Sequence, residues 1–192
     1  MRHSRTVAAD AFNPAAIQRL LDAKGRGRQS PPPVLIPDAK TLYALAETVP
    51  PEVQELVDHF WPGGLTIILP ARASLSWDLG ETHGTVALRM PNNDIALKLL
   101  KETGPLAVSS ANLTGKPAAH TSAEAVADLG DSVSVYLDGG TVGGEHDGAP
   151  DPGSTIVDAT GLLEEGGKLR IVRHGVISDQ AIVSIVGADK CE

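Results

Sequence analysis

The chain has 192 residues, a formal net charge of −8, 42% hydrophobic and 3% aromatic residues, and one cysteine, Cys191. That length suits one domain with an aliphatic core, the acidic balance argues against a nucleic-acid clamp, which shows a basic surplus, and a single cysteine excludes an intrachain disulfide or a cysteine-based zinc site. No apolar run approaches the roughly 18 residues of a membrane span, and the start lacks the apolar core of a signal peptide, so a soluble, cytoplasmic protein with no membrane partner is expected.

Residues 1–7 are basic and unpatterned. Asn13-Pro14 then marks a helix start, with Asn as the cap and Pro in the first turn. Ile17, Leu20 and Leu21 give that helix an apolar stripe, and it runs to about Lys24. Lys24, Arg26 and Arg28 lie within five residues at its end, separated by Gly25 and Gly27. Cations complement the negative end of a helix dipole, which accounts for one or two of them. Interleaved glycines cost order, so a flexible basic loop made for an anionic ligand is the alternative. A short buried strand is expected over 34–36, a helix over 38–47, and a helix opened by Pro51 that carries Val53, Leu56, Val57 and Phe60 on one side. Trp61-Pro62-Gly63-Gly64 breaks it before a strand over 65–69. Residues 71–83 form an excursion with no legible pattern.

The strand over 85–91 carries more information. Alternation puts Val86, Leu88 and Met90 on one face and Thr85, Ala87 and Arg89 on the other. Thr85 and Arg89 then point the same way, about 13 Å apart at the rise of a strand. A strand arginine calls for an anion, unless the strand lies at an edge. Asn92 and Asn93 cap a helix to about Lys101. The apolar run 105–108 ends at Ser109-Ser110-Ala111-Asn112, as a buried strand does when it empties into a polar loop; ligands of open α/β sheets sit beyond such carboxyl ends. The same residues are also ordinary turn formers. Thr121 to Glu124 has the form of a capping box opening a helix to about Leu129. A strand is expected over 133–137 from the alternation of Val133, Val135 and Leu137. Residues 139–153 are Gly-rich and acidic, expected as a mobile loop. Strands over 154–158 and 169–173, a last helix capped by Ser178, and a frayed tail over 187–192 complete an α/β chain, expected as a single domain over 1–192.

No phosphate loop, dinucleotide fingerprint or nucleophile elbow is present. The six histidines do not fall at zinc-ligand spacing, His83 and His120 reading as loop residues, and the acidic stretch 145–151 lacks the ligand order of a calcium loop. What remains is a set of cations, hydroxyls and one amide at strand ends. Such a set binds an anionic or zwitterionic small molecule and works by positioning and charge stabilisation.

Six segments, in this order, carry a resemblance: Lys24-Gly25-Arg26, Trp61-Pro62-Gly63-Gly64-Leu65-Thr66, Thr85 to Pro91, Ser109-Ser110-Ala111-Asn112-Leu113-Thr114-Gly115, Gly153-Ser154-Thr155-Ile156-Val157-Asp158 and Arg173-His174-Gly175. Through them the chain resembles the YrdC-like family, the threonylcarbamoyl-AMP synthases, over about residues 8–186. The resemblance implies a twisted mixed β-sheet with flanking helices and a concave, positively lined cleft. It implies formation of L-threonylcarbamoyl-AMP from L-threonine, bicarbonate or CO2 and ATP, with Mg²⁺ beside the triphosphate and release of pyrophosphate, as the first step of tRNA threonylcarbamoyladenosine modification. Handover to a tRNA threonylcarbamoyl transferase complex would follow.

By the same resemblance Lys24 and Arg26 are the catalytic cations on the phosphates. Arg26, Ser30, Thr85, Asn112, His120 and Arg173 would contact ATP, while Arg89, Ser110 and Ser154 would contact threonine. No metal-binding side chain is implied. The family places a Pro-Thr-(Asp/Glu)-Thr-x-Tyr-Gly-Leu strand before Ala8-Ala9-Asp10, where this sequence has residues 1–7. An exposed sheet edge and impaired activity are the corresponding expectations. The rival readings are an RNA-binding module, double-stranded RNA included, and a catalytically impaired nucleotide- or threonine-binding paralogue. The net charge of −8 and the shortage of stacking aromatics count against RNA.

Overall fold

The computed structural model describes residues 6–138, 140 and 153–192. In chain order its strands and α-helices are β1 (Thr6–Asp10), α1 (Pro14–Lys24), β2 (Val34–Leu35), α2 (Lys40–Leu45), α3 (Pro51–Phe60), β3 (Leu65–Pro70), β4 (Thr85–Arg89), α4 (Asp94–Thr103), β5 (Leu106–Ser110), α5 (Ser122–Leu129), β6 (Thr155–Asp158), β7 (Arg170–Arg173) and α6 (Asp179–Val186). This is an α/β fold with mixed strand pairing and flanking helices. The chain gathers into two compact units, each made of segments distant in sequence.

The first unit takes Met1–Pro32, Trp77–Glu81 and Leu106–Asp151. In it β1 and β5 run antiparallel, from Thr6 opposite Ser110 to Asp10 opposite Leu106. Helix α1 starts where Asn13 accepts a hydrogen bond from the Ala16 N–H at 3.1 Å, the cap that its place before Pro14 predicts. Gly25 ends it at φ 60°, a left-handed conformation that favours glycine. Ile17, Leu20 and Leu21 are buried along its stripe. At α5 the Thr121 hydroxyl accepts from the Glu124 N–H at 3.1 Å, while the Glu124 carboxylate reaches the His120 N–H at 2.7 Å.

Two expectations are corrected in this unit. Residues 6 and 7, taken as part of an unpatterned start, belong to β1; Thr6 and Ala8 are exposed while Val7 is buried, and one large apolar side chain in so short a strand leaves little alternation to see. Residues 133–137 form no strand. The Tyr136 hydroxyl donates to the Gly130 carbonyl at 2.7 Å, drawing the segment back toward the preceding turn, and Val135 is 70% exposed. Alternation without a partner to cover one face does not hold a strand. The loop expected over 139–153 lies almost wholly outside the described residues, as do residues 1–5.

The second unit takes Pro33–Ser76, Thr82–Pro105 and Pro152–Glu192. Its strands follow the order β2-β4-β3-β6-β7. The pairs β2–β4 and β3–β6 are parallel, and β3–β4 and β6–β7 antiparallel. Leu65, Ile67 and Leu69 of β3 are fully buried, as expected of a strand with neighbours on both edges. On β4, Val86 and Leu88 are buried while Thr85, Ala87 and Arg89 are half-buried, the predicted division of faces. Helix α2 is shorter than the 38–47 expected. The side chain of Asp38 holds the Thr41 N–H at 2.9 Å, and at the other end Ala46 is already extended. Helices α3 and α6 pack together, and Val53 and Leu56 of α3 and Ile182 of α6 are buried. The tail is not frayed. The Leu169 N–H donates to Lys190 and the Glu192 N–H to Leu169, at 2.8 and 2.9 Å, and the Lys190 ammonium lies 3.2 Å from Glu52.

Candidate active site

In the first unit the chemistry gathers where α1 ends and β5 empties. Lys24 is the last residue of α1 and is 1% exposed. Its ammonium donates to the carbonyl of Ser110 at 2.5 Å, to the carbonyl of Asn112, and to the Asn112 side-chain oxygen at 3.1 Å. An ammonium has three N–H bonds, so all of them are used on one loop. The Asn112 amide in turn donates to the carbonyls of Leu113 and Lys116 at 3.0 and 2.7 Å. All three acceptors of Lys24 are neutral. Burial, followed by the nearby Arg26 charge, pushes the Lys24 ammonium down to about 8, with Asp128 opposing. A buried cation whose hydrogen-bond acceptors are all neutral favours an anion alongside.

Arg26 sits half-buried beside it. Its Nε donates to the Thr114 hydroxyl and its Nη1 to the Ser109 hydroxyl, both at 3.3 Å, and Thr114 donates to the Lys24 carbonyl at 2.6 Å. Lys24, Arg26, Ser110 and Asn112 are therefore brought together, as the sequence anticipated. Ser30 lies further along the basic loop, exposed, its N–H on the Gly27 carbonyl at 3.1 Å. His120 is an exposed residue at the start of α5. Ser30 bonds within its own loop and the His120 N–H bonds to Glu124. Ser109 and Thr114 carried no assigned role; their signal was their place in the same hydroxyl-rich loop.

The second unit holds the other candidates. Ser154, 5% exposed, is gripped by Arg173: the guanidinium donates from Nε to the Ser154 carbonyl at 2.8 Å and from Nη2 to its hydroxyl at 2.6 Å. The Ser154 hydroxyl also meets the Thr66 hydroxyl at 2.8 Å. Thr66 is 2% exposed, and its signal in the sequence is a hydroxyl inside the aliphatic run of β3. Arg89 donates from Nε to the Gly63 carbonyl at 2.8 Å, and the Gly63 N–H returns to Met90 at 2.9 Å. That exchange ties the Trp61–Pro62 turn, whose peptide bond is cis, to the end of β4. Thr85 stands at the opposite end of that strand, its hydroxyl on the Thr82 carbonyl at 2.8 Å.

The glycines of these segments have steric reasons. A Cβ on Gly175 would stand 2.3 Å from the Thr155 nitrogen and 2.4 Å from the Ser154 carbonyl carbon. On Gly64 it would stand 2.3 Å from a Val176 methyl. Thr155 locks the same region by accepting from the Ile177 N–H and donating to the Ile177 carbonyl, at 2.9 and 2.6 Å.

A family model named Sua5/YciO/YrdC and described as "Telomere recombination" matches residues 6–175, nearly the whole of the described chain. The chain belongs to the Sua5/YciO/YrdC family. The match ends at Gly175, the last residue of the sixth motif, so all six lie within the Sua5/YciO/YrdC region. A Mycobacterium tuberculosis relative is 43% identical over 95% of this chain and 79% of its own. The threonylcarbamoyl-AMP synthase of Bacillus subtilis is 41% identical over 71% of this chain and 40% of its own. Among solved structures, P. abyssi Sua5 complexed with L-threonine superposes with a TM-score of 0.82 at 30% identity. The superposition covers 97% of this chain and 52% of that one.

Proposed function

We propose that this chain forms L-threonylcarbamoyl-AMP from L-threonine, bicarbonate or CO2 and ATP, releasing pyrophosphate. One observation carries the proposal: a member of the Sua5/YciO/YrdC family holds a buried cation, Lys24, at the carboxyl end of β5, with its hydrogen bonds all on neutral oxygens of Ser110 and Asn112. Relatives named for this activity support it, and so does a related structure that holds L-threonine.

The substrate supplies its own nucleophile. The threonine amine adds to CO2 and loses a proton, and a carbamate oxygen then attacks the α-phosphorus of ATP. The bond to the β-phosphate oxygen breaks, and pyrophosphate leaves with the electron pair. Negative charge builds on the leaving group, which preorganised cations stabilise without reorganisation. Arg26 would meet it with N–H groups. Lys24, its own N–H bonds directed to residues 110 and 112, would act through its charge and by fixing that loop. Arg89 would pair with the threonine carboxylate in the fork geometry that lysine lacks, with Ser110 and Ser154 nearby. Arg173, Thr85, Asn112, Ser30 and His120 would contact the nucleotide. Mg²⁺ enters as part of the substrate, on the triphosphate. The chain would act as a single domain over residues 1–192 in the cytoplasm, and the adenylate would pass to a threonylcarbamoyl transferase acting on tRNA.

Pyrophosphate release, measured with each substrate omitted in turn, tests the proposal. Release that needs threonine, bicarbonate and ATP together is expected. Release that proceeds equally without threonine would overturn it.

A further inference from the structure

Arg28, the third cation of the basic loop, and the segment Trp77–Glu81 have no part in the proposed function. Both belong to the first unit. The Arg28 guanidinium lies 2.6 Å from the Asp78 carboxylate. The same carboxylate oxygen accepts the Gly80 N–H at 3.1 Å, which turns the backbone so that the Glu81 N–H donates to the Arg28 carbonyl at 2.8 Å. Gly80, at φ 104°, runs so close that a Cβ there would stand 2.6 Å from that carbonyl oxygen. The segment is itself anchored. Leu79 is 2% exposed, and Trp77 stacks on Phe12 with ring centroids 5.4 Å apart.

We infer that Asp78 is a positioning residue, and that Trp77–Glu81 is a clasp which fixes the basic loop by side chain and backbone of Arg28 and so sets Arg26 for a triphosphate. A single residue, Gly27, separates the gripped Arg28 from Arg26. A loop with glycines at 25 and 27 is entropically costly to hold, and the clasp restrains its far end while the Thr114 and Ser109 hydroxyls meet Arg26. Arg28 therefore serves the site through its carboxylate partner and its carbonyl rather than by touching phosphate. The inference rests on the proposed function for its ligand, but not for its geometry.

The test uses the full chain with Asp78→Ala, Arg28→Ala, the double variant and Asp78→Glu. It has two readouts: tryptic cleavage at the Arg26–Gly27 bond, and the affinity of a fluorescent ATP analogue. An exposed ion pair sets the scale at roughly 1.5-fold to fivefold. Each single variant should speed cleavage and weaken the analogue by that factor. The double variant should add nothing, Asp78→Glu should recover part of the loss, and threonine affinity and Tm should hold. If Arg28→Ala weakens the analogue while Asp78→Ala does not, Arg28 is a phosphate ligand and the inference fails. Unchanged cleavage in Asp78→Ala, or faster cleavage with unchanged analogue affinity, also overturns it. Should the parent chain bind no analogue, the proposed function falls, and the cleavage rates still decide whether the clasp holds the loop.

Discussion

Lys24 shows how a residue's type and its surroundings divide the work. Its ordinary ammonium would be a surface point charge at a helix end, where a cation complements the dipole. Here it is buried against three neutral oxygens and pushed down to about 8. An anion beside it favours the charged form and raises that value. The sign follows: ATP affinity is highest below pH 8 and falls as pH rises through it. At about pH 8.5 binding draws up to about three-quarters of a proton from solution. Calorimetry in two buffers of different ionisation enthalpy should show that uptake, and Lys24→Met should abolish it; no uptake between pH 8 and 9 would separate Lys24 from the phosphates. Arg89→Ala makes the complementary prediction. Losing a charge-assisted pair with a carboxylate should weaken threonine by about 10- to 100-fold and leave ATP nearly unaffected. Equal losses for both ligands in titration calorimetry would remove Arg89 from the carboxylate.

At the scale of elements, what was legible depended on how local the cause was. Asn13, Pro14 and Gly25 fixed both ends of α1 because capping is settled within a turn of the chain. The faces of β4 followed from alternation alone. The absent strand over 133–137 had the same alternation and no partner, and the ordered tail over 187–192 depends on Leu169 and Glu52, distant in sequence. Arg28 could be seen as surplus charge, but not as the partner of Asp78, fifty positions away. The loops around Ser154 lie between these cases. Their glycines were visible, yet the need for them lies in the backbone of a neighbouring segment. Gly175→Ala forces a methyl against the Ser154–Thr155 peptide, where nothing flexible can yield, and overpacking of this kind costs about 1–3 kcal/mol. Urea denaturation should show the lowered midpoint, with weaker threonine binding alongside it; an unchanged midpoint would mean that the backbone there gives way freely.

Across the whole molecule, an acidic surplus coexists with local positive charge. The net of −8 is an average, and it hides the pairing of Lys24 with Arg26 at one strand end and of Arg173 with Ser154 at another. Motif order pointed to the family that the comparisons show. The division into two interleaved compact units was not legible, because it depends on which distant segments meet and no linker marks it. The chemistry proposed for the molecule turns on one carbon atom. In a reaction supplied with ATP, L-threonine and ¹³C-bicarbonate, mass spectrometry should find an adenylate carrying both threonine and one ¹³C. An adenylate of threonine without that carbon, or AMP alone, would contradict the account.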